Sequence, residues 1–290
     1  MFPVFSEVSK PAVAQTRPGI FMTVAVWTMV SWLALFDRPV PMRADVPRFT
    51  GQSGVEYKSQ RDSRGPWSIH VLRISRQKSP FRLASVHADG LAVGLGTLSQ
   101  QIRSIRTDLG SSIGAINGDF YRRDGAYAGD PRGLQIAEGE LISSPAGTAS
   151  LWIDAIGEPH ITNTVSLFEV TWPNGQKSAL GLNGARRSGG VELYTPAMGA
   201  STHTAAGREL VLEPSGKGPW LPLSAGKSYR ARVREVREAG NTRLEVGTMV
   251  LSLGPGLARA LPAPAPGTEL LLSTETRPTL HGVRTAISGG

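Results

Sequence analysis

The chain holds no cysteine, and its five histidines (His70, His87, His160, His203 and His281) show no metal-ligand spacing. Chemistry therefore has to run on carboxylates, arginines and at most a hard, oxygen-ligated ion. The densest cluster of such groups begins at Ala115-Ile-Asn-Gly-Asp-Phe-Tyr121, where an apolar run meets Asn117-Gly118 and delivers Asp119 beside two aromatic residues. Asn-Gly is a strong turn signal because both residues tolerate positive φ. Taken alone, the pattern reads as a turn with a solvated aspartate. A functional role is favoured by the polar loop after it, which adds Asp124, Asp130 and Arg132 before Gly133 and Leu134-Gln-Ile-Ala-Glu-Gly-Glu140. Asp119, Asp124 and Asp130 have the donor chemistry for a divalent ion such as calcium. No spacing here matches a known calcium loop, so no residue is assigned as a metal ligand.

The elements that must position this cluster are mostly short strands. Thr97 to Thr107 places Leu98, Ile102 and Ile105 at helical spacing, with a hydroxyl as N-cap and Gly110 as the stop. Trp67 to Ile74 alternates at period two with apolar residues on both faces, which predicts a strand inside a mixed layer, and Phe81 to Ala88 reads as its neighbour. Further β-like runs are Ser112–Asn117, Gly133–Ala137, Ala149–Ala155, His160–Val165, Ser166–Trp172 and Ala179–Leu182. Later in the chain come Val191–Thr195, Glu209–Glu213, Ser228–Val236, Thr248–Leu253, Glu269–Ser273 and Val283–Ile287. Strands outnumber helices, so the expected class is α+β, with β-rich mixed sheets, few helices and a preceding N-terminal hydrophobic helix.

That N-terminal helix is expected over Gly19 to Phe36, an uncharged run of 18 residues preceded by Lys10 and Arg17. At about 1.5 Å per residue it just crosses a hydrocarbon core of about 30 Å. Residues 1–44 are accordingly read as a signal anchor or signal peptide, residues 45–65 as a linker, and residues 66–290 as the domain. Cations ahead of the run place the chain beyond it outside the cytoplasm, with the helix as the contact to the membrane.

Of 290 residues, 31 are Lys or Arg and 23 are Asp or Glu, a net charge of +8. Without residues 1–44, which carry Lys10, Arg17, Arg38 and Arg43 against Glu7 and Asp37, the balance is +6. The cations are scattered rather than clustered, so no nucleic-acid partner is expected. The 34 glycines and 21 prolines fit many short elements joined by tight connections.

In this order and spacing the motifs resemble the phosphodiester glycosidase family, the "uncovering enzyme" type of N-acetylglucosamine-1-phosphodiester alpha-N-acetylglucosaminidase-like domain. The resemblance rests on the Thr97–Asp108 helix, Ala115–Tyr121, the loop ending Pro131-Arg-Gly133, and Ile136–Glu140. It continues through Leu182-Asn-Gly-Ala-Arg-Arg187, Val191-Glu-Leu-Tyr-Thr-Pro196 and Gly199-Ala-Ser-Thr202, with Gly54–Lys58 and Gly65–Arg73 fitting the opening strands. Family members continue past a turn like Ala286-Ile-Ser-Gly-Gly290 into a glycine-rich loop that helps form the site, so the domain reads as C-terminally incomplete.

The resemblance implies hydrolysis of the glycosidic bond of a sugar-1-phosphodiester on cell-surface or exopolysaccharide glycans. Such a leaving group needs little general-acid help, so the requirements are charge neutralisation of phosphate and a carboxylate to activate water. Arg132 and Arg186 are the implied phosphate forks, and Asp119 and Asp130 the carboxylates. Asn117, Gly118, Asn183, Tyr194 and Thr202 are the implied substrate contacts. Each has a plain alternative: surface ion pairs for the arginines, a turn for Asn117, a half-buried strand position for Tyr194. The alternative for the whole domain is a catalytically inactive carbohydrate-binding or envelope scaffold module.

Overall fold

The computed structural model describes residues 54–75, 81–88 and 93–289. The expected N-terminal helix over residues 19–36 lies outside the described residues. Among the described residues no helix is long and apolar enough to cross a membrane. They fall into two compact units, the first holding residues 54–75 and Phe81 and the second beginning at Arg82.

The first unit is a hairpin of β1 (Val55–Asp62) and β2 (Trp67–Ile74), antiparallel from Val55 opposite Ile74 to Asp62 opposite Trp67. Its turn is tied by Asp62, whose carboxylate accepts from the Arg64 amide at 3.0 Å and from Arg64 Nη2 at 2.8 Å. Residues 55–62 are therefore strand, where the polar composition of residues 45–65 had suggested a linker. Register with β2, which local composition does not reveal, makes the difference. The mixed-layer environment expected for β2 is not found: among the described residues it pairs with β1 alone, and Trp67 and Val71 are exposed.

The second unit is strand-rich with few helices. It contains, in order, α1 (Leu98–Ser104), β3 (Gln135–Ala137), β4 (Glu140–Ser143), β5 (Ala146–Ile153), β6 (Pro159–Ser166), β7 (Glu169–Thr171), β8 (Lys177–Leu182) and β9 (Val191–Tyr194). Then come β10 (Arg208–Pro214), β11 (Ser228–Arg237), β12 (Met249–Leu253), α2 (Pro255–Ala260), β13 (Glu269–Ser273), β14 (Thr276–Arg277) and β15 (Thr285–Ser288). Seven strands close a barrel in the order β10-β11-β13-β7-β8-β9-β12, and six form a sheet in the order β14-β6-β5-β15-β3-β4. The barrel ladders are antiparallel except for β8 with β9, which run parallel.

The pleat sorts residues by face. On β9, β12 and β10 the residues Leu193, Leu251 and Leu210 lie in one ladder row and in the main core, together with Leu134, Ile136 and Trp152 from the sheet. Their neighbours one position away point to the outside of the barrel, where the site lies.

Helix α1 starts as expected at Thr97, which accepts from the Gln100 amide at 3.2 Å while Gln100 Oε1 accepts from the Thr97 amide at 2.8 Å, a full capping box. It ends at Ser104, sooner than the apolar spacing suggested, and a separate turn over residues 107–109 leads to Gly110. Phe81–Ala88 and Ser112–Asn117 are not strands. The first of these is held partly by side chains: Gln135 Nε2 donates to Ser85 Oγ at 3.0 Å and to the Val86 carbonyl at 3.1 Å, and Thr285 Oγ1 to the Leu83 carbonyl at 3.2 Å. Strands β4 and β14 and helix α2 have no counterpart among the sequence expectations; α2 opens with Pro255 in its first turn, where a missing amide costs nothing.

Leu251 has no exposed surface and sits in the ladder row with Leu210 and Leu193. Leu251→Ala is expected to cost about 2–5 kcal/mol, read from the midpoint of urea denaturation at unchanged slope. A loss well under 1 kcal/mol would mean that the barrel interior is not the packed core.

Candidate functional site

The outer face of the barrel carries a polar row that sequence periodicity does not announce. Gly181 of β8 lies opposite Glu192 of β9, Glu192 opposite Ser252 of β12, and Ser252 opposite Glu209 of β10. Two positions along, Tyr194, Val250 and Val211 make a parallel apolar row that packs with Tyr127, Met198 and Leu244. Covering the apolar row removes water from the polar one, so each polar group in it has to find a partner inside the protein.

Glu209 does so completely. It accepts from Thr204 Oγ1 at 2.7 Å, Thr202 Oγ1 at 3.1 Å, the Thr242 amide at 2.9 Å and Ser252 Oγ at 2.7 Å. Burial pushes its carboxyl up, but the hydrogen bonds from Thr242, Ser252 and Thr204 outweigh it and hold the group below the ordinary value. Arg186 completes the relay: its Nη1 donates to Ser252 Oγ at 2.6 Å and its Nη2 to the Ala206 carbonyl, while its buried Nε has no partner. Above this network the Tyr127 hydroxyl donates to the Thr202 carbonyl at 2.7 Å and lies 3.0 Å from the Tyr194 hydroxyl, which donates to the Gly184 carbonyl at 2.8 Å.

Tyr127 reaches the barrel from the loop that the sequence singled out. Residues 120–132 fold back on themselves: the Arg132 amide donates to the Phe120 carbonyl at 2.8 Å, the Arg122 amide to the Asp130 carbonyl at 2.9 Å, and Tyr121 bridges Pro131. Asp119 lies at the base of this fold. Its Oδ1 accepts from the Phe120 amide at 2.7 Å and its Oδ2 is buried with no hydrogen-bond partner. Burial raises its pKa, opposed by the Phe120 and Gly133 amides and by Arg132. Two glycines make the notch: a Cβ on Gly133 would sit 2.8 Å from Asp119 Oδ2 and 2.4 Å from Ser288 Oγ, and one on Gly118 would sit 2.0 Å from Ile287 Cδ1. Both glycines are thus required by close approach rather than by turn geometry.

Asp130 is desolvated more strongly, and burial raises its carboxyl to about 7 against the pull of Arg122. Glu192 is raised to about 7 as well, first by burial and further by Asp130, with the Gly184 amide, Arg186 and Arg187 opposing. Gly184 lies between the two: a Cβ there would be 3.2 Å from Glu192 Oε1 and 3.5 Å from Asp130 Oδ2.

Two cavities flank the loop. One, of about 630 Å³, is largely apolar and is lined among others by Asn117, Gly118, Asp119, His87 and Gln135. The other, of about 620 Å³, is lined by Arg122, Arg123, Arg132, Asp124 and Asp130. Phe120 and Tyr121, both exposed, border the two cavities alike. Asp119 and Asp130, neighbours in the sequence motif, therefore serve different cavities.

The expected site residues accordingly divide. Asn117, Gly118 and Asp119 line the first cavity, and Asp130 and Arg132 the second. The expected contacts Asn183, Tyr194 and Thr202 are fully buried and line neither of these two cavities. Asn183, at φ 55°, donates from Nδ2 to the Ile142 carbonyl at 2.8 Å and accepts the Thr195 amide at 2.9 Å on Oδ1, tying three elements together. Thr202 is committed to Glu209 and Tyr127, and Arg186 to Ser252 and Ala206. In this arrangement the side chains of these four residues are bonded to other groups of the protein. Glu192, Arg122 and Arg123 were absent from the sequence expectations. A charged residue set between Val191 and Leu193 in a strand was the one available signal for Glu192. Among the described residues no cluster of three or more metal-ligating side chains occurs.

No family model and no curated protein matches the sequence. Solved structures do match in fold. A hypothetical protein from Synechocystis superposes with a TM-score of 0.60 at 18% identity, over 82% of this chain and 42% of its own. A protein provisionally described as exported, from Burkholderia pseudomallei K96243, superposes with a TM-score of 0.53 at 17% identity, over 78% of this chain and 50% of its own. The chain thus spans half or less of the length of these structures, and what it shares with them is the fold.

Two outcomes are expected from this geometry. Ser252→Ala leaves Arg186 Nη1 and Glu209 Oε1 each short of a partner and should cost about 1–3 kcal/mol in denaturant unfolding; no loss would show the relay to be dispensable. Because the Asp130 and Glu192 carboxyls are raised in the folded state to about 7, their contribution is fully present below the ordinary carboxylate range and is lost as pH rises through about 7. Thermal unfolding across that window should show stability falling with pH in the native protein, and a flatter profile in Asp130→Asn.

Proposed function

We propose that the domain is a hydrolase that cleaves the glycosidic bond of a sugar-1-phosphodiester on cell-surface or exopolysaccharide glycans. The observation that carries this is the pairing of cavities across Phe120 and Tyr121: one largely apolar with Asp119, the other with three guanidinium groups and Asp130. A substrate with a neutral sugar on one side and an anionic phosphodiester on the other has this division of character. Arginine suits the phosphate side because its planar fork matches phosphate oxygens in pairs.

The chemistry is dictated by the leaving group. A water oxygen bonds to the anomeric carbon while the bond from that carbon to the phosphate oxygen breaks, its electron pair leaving with the phosphate. The water proton passes to a carboxylate, and free sugar and a phosphomonoester result. Arg122, Arg123 and Arg132 would take up the charge that grows on the leaving phosphate. Asp130, whose raised pKa suits a group that exchanges protons near neutral pH, would accept the proton. Asp119 would face the sugar side, where a carboxylate stabilises an oxocarbenium-like state.

An extracytoplasmic site of action, membrane-anchored or secreted, is part of the proposal. It is supported by the apolar run Gly19–Phe36 with its preceding cations and by the description of the Burkholderia structure as exported.

The test is release of reducing sugar from a panel of hexose-1-phosphate methyl esters. Turnover is expected in the wild-type chain, with kcat/KM lower by on the order of 10²-fold or more in the double variant Arg122→Ala/Arg132→Ala. Equal turnover in that variant would remove the phosphate site from the arginine cavity. Glycan binding without any sugar release would instead support the inactive carbohydrate-binding or scaffold module.

A further inference from the structure

Glu192 is an unusual residue to find on β9. Its carboxylate is set into a space left by two glycines: a Cβ on Gly181 would lie 2.0 Å from Oε2, and one on Gly184 would lie 3.2 Å from Oε1. The Gly184 amide donates to Oε1 at 2.8 Å. Asp130 Oδ2 approaches the same Gly184 position from the loop side, so two carboxyl groups from different elements converge on one glycine. Asp130 lines the arginine cavity, whereas Glu192 is only 9% exposed and lines neither cavity.

The charged and titratable groups around this pair do not neutralise it. Among the described residues, no ion pair reaches either carboxylate. Arg122 acts on Asp130, and Arg186 and Arg187 act on Glu192, all from beyond ion-pair distance. Arg122 is also turned over the Tyr127 ring, 5.9 Å from its centroid, and Arg186 is bonded to Ser252 and Ala206. The Tyr127 and Tyr194 phenols are both raised, chiefly by burial, and stay neutral. Two desolvated like charges that converge with no ion-pair partner among the described residues are best relieved by keeping a proton.

We propose that Asp130 and Glu192 hold one proton between them, and that Glu192 is thereby the positioning residue that sets the protonation of Asp130 in the arginine-lined cavity. With the proton on Glu192, Asp130 is the free carboxylate. For its catalytic consequence this inference rests on the hydrolase function proposed above. There Asp130 takes the proton of the attacking water as the water oxygen bonds to the anomeric carbon, and the electron pair of the broken bond leaves with the phosphate. The proton passes to bulk water when the products depart.

The experiment is a carbon-detected NMR titration of side-chain carboxyls in the full chain, assigned with Asp130→Asn and Glu192→Gln. In the wild type the two signals should titrate as a coupled pair. In Glu192→Gln the Asp130 midpoint should fall by about 1 pH unit or more, and Asp130→Asn should lower the Glu192 midpoint likewise. Midpoints in the ordinary carboxylate range in the wild type would overturn the proposal even if neither variant folds. So would an Asp130 curve unmoved by Glu192→Gln. In parallel, the acid limb of the kcat/KM profile on hexose-1-phosphate methyl esters should shift by the same amount in Glu192→Gln, with KM little changed. A shifted titration with an unshifted limb would overturn the positioning role. A coupled titration in a protein that releases no sugar from any ester would sink the hydrolase function and leave the shared proton standing.

Discussion

Everything distinctive about the site depends on a row of polar groups held out of water on the outside of a barrel. Gly181, Glu192, Ser252 and Glu209 succeed one another across four strands, on the face opposite the leucine row that fills the barrel. The adjacent apolar row and Tyr127 cover this strip, so its charges are solvated by protein alone. Glu209 receives four hydrogen bonds and is comfortable as a carboxylate. Glu192 receives one. That inequality separates the two ends of the row: one is a fully paired support, the other a carboxyl with unmet demand next to a cavity.

The loop over residues 117–133 turns this inequality into a site. It carries Tyr127 inward to cover the barrel face and in the same stroke brings Asp130 to Gly184, while Phe120 and Tyr121 face outward between two cavities. Its backbone bonds pair residues 120–122 with residues 130–132 and leave Tyr127 at the end of the turn Gly125–Tyr127 between them. Burial of Tyr127 and exposure of Arg122 are therefore two results of one fold. Glycines at 118, 133 and 181 supply the close approaches that a Cβ would crowd.

Ser252 joins this region to the rest of the barrel. Its hydroxyl accepts from Arg186 and donates to Glu209, so the segment between β8 and β9, strand β12 and strand β10 are tied by side chains as well as by the backbone pairing of β12 with β9 and β10. Buried networks of this kind are stiff when complete and costly when broken. Among the buried side-chain atoms left without a partner are Arg186 Nε and Thr242 Oγ1 beside this network and Asp119 Oδ2 at the base of the loop.

Much of the strand pattern was legible in the sequence, because a strand with one buried face alternates and its ends carry glycine, proline or asparagine. The runs at residues 160–165, 191–195, 209–213, 228–236 and 269–273 all fall on strands. Helix α1 was legible for the same kind of local reason, a hydroxyl cap and a matching Gln100. Local pattern failed where pairing was decided at a distance: residues 55–62 gained a partner in β2, and residues 81–88 and 112–117 are not strands. The loop carrying Asp119, Asp130 and Arg132 was recognisable from its composition. Which cavity each residue serves was not, and neither was the burial of Asn183, Tyr194 and Thr202. Sequence alone determined residue types, periodicities and turns, which are properties of neighbours along the chain. Only the tertiary structure decided that Glu192 would meet Asp130 across Gly184, because desolvation and like-charge repulsion depend on groups that strand register and loop closure bring together from distant parts of the chain.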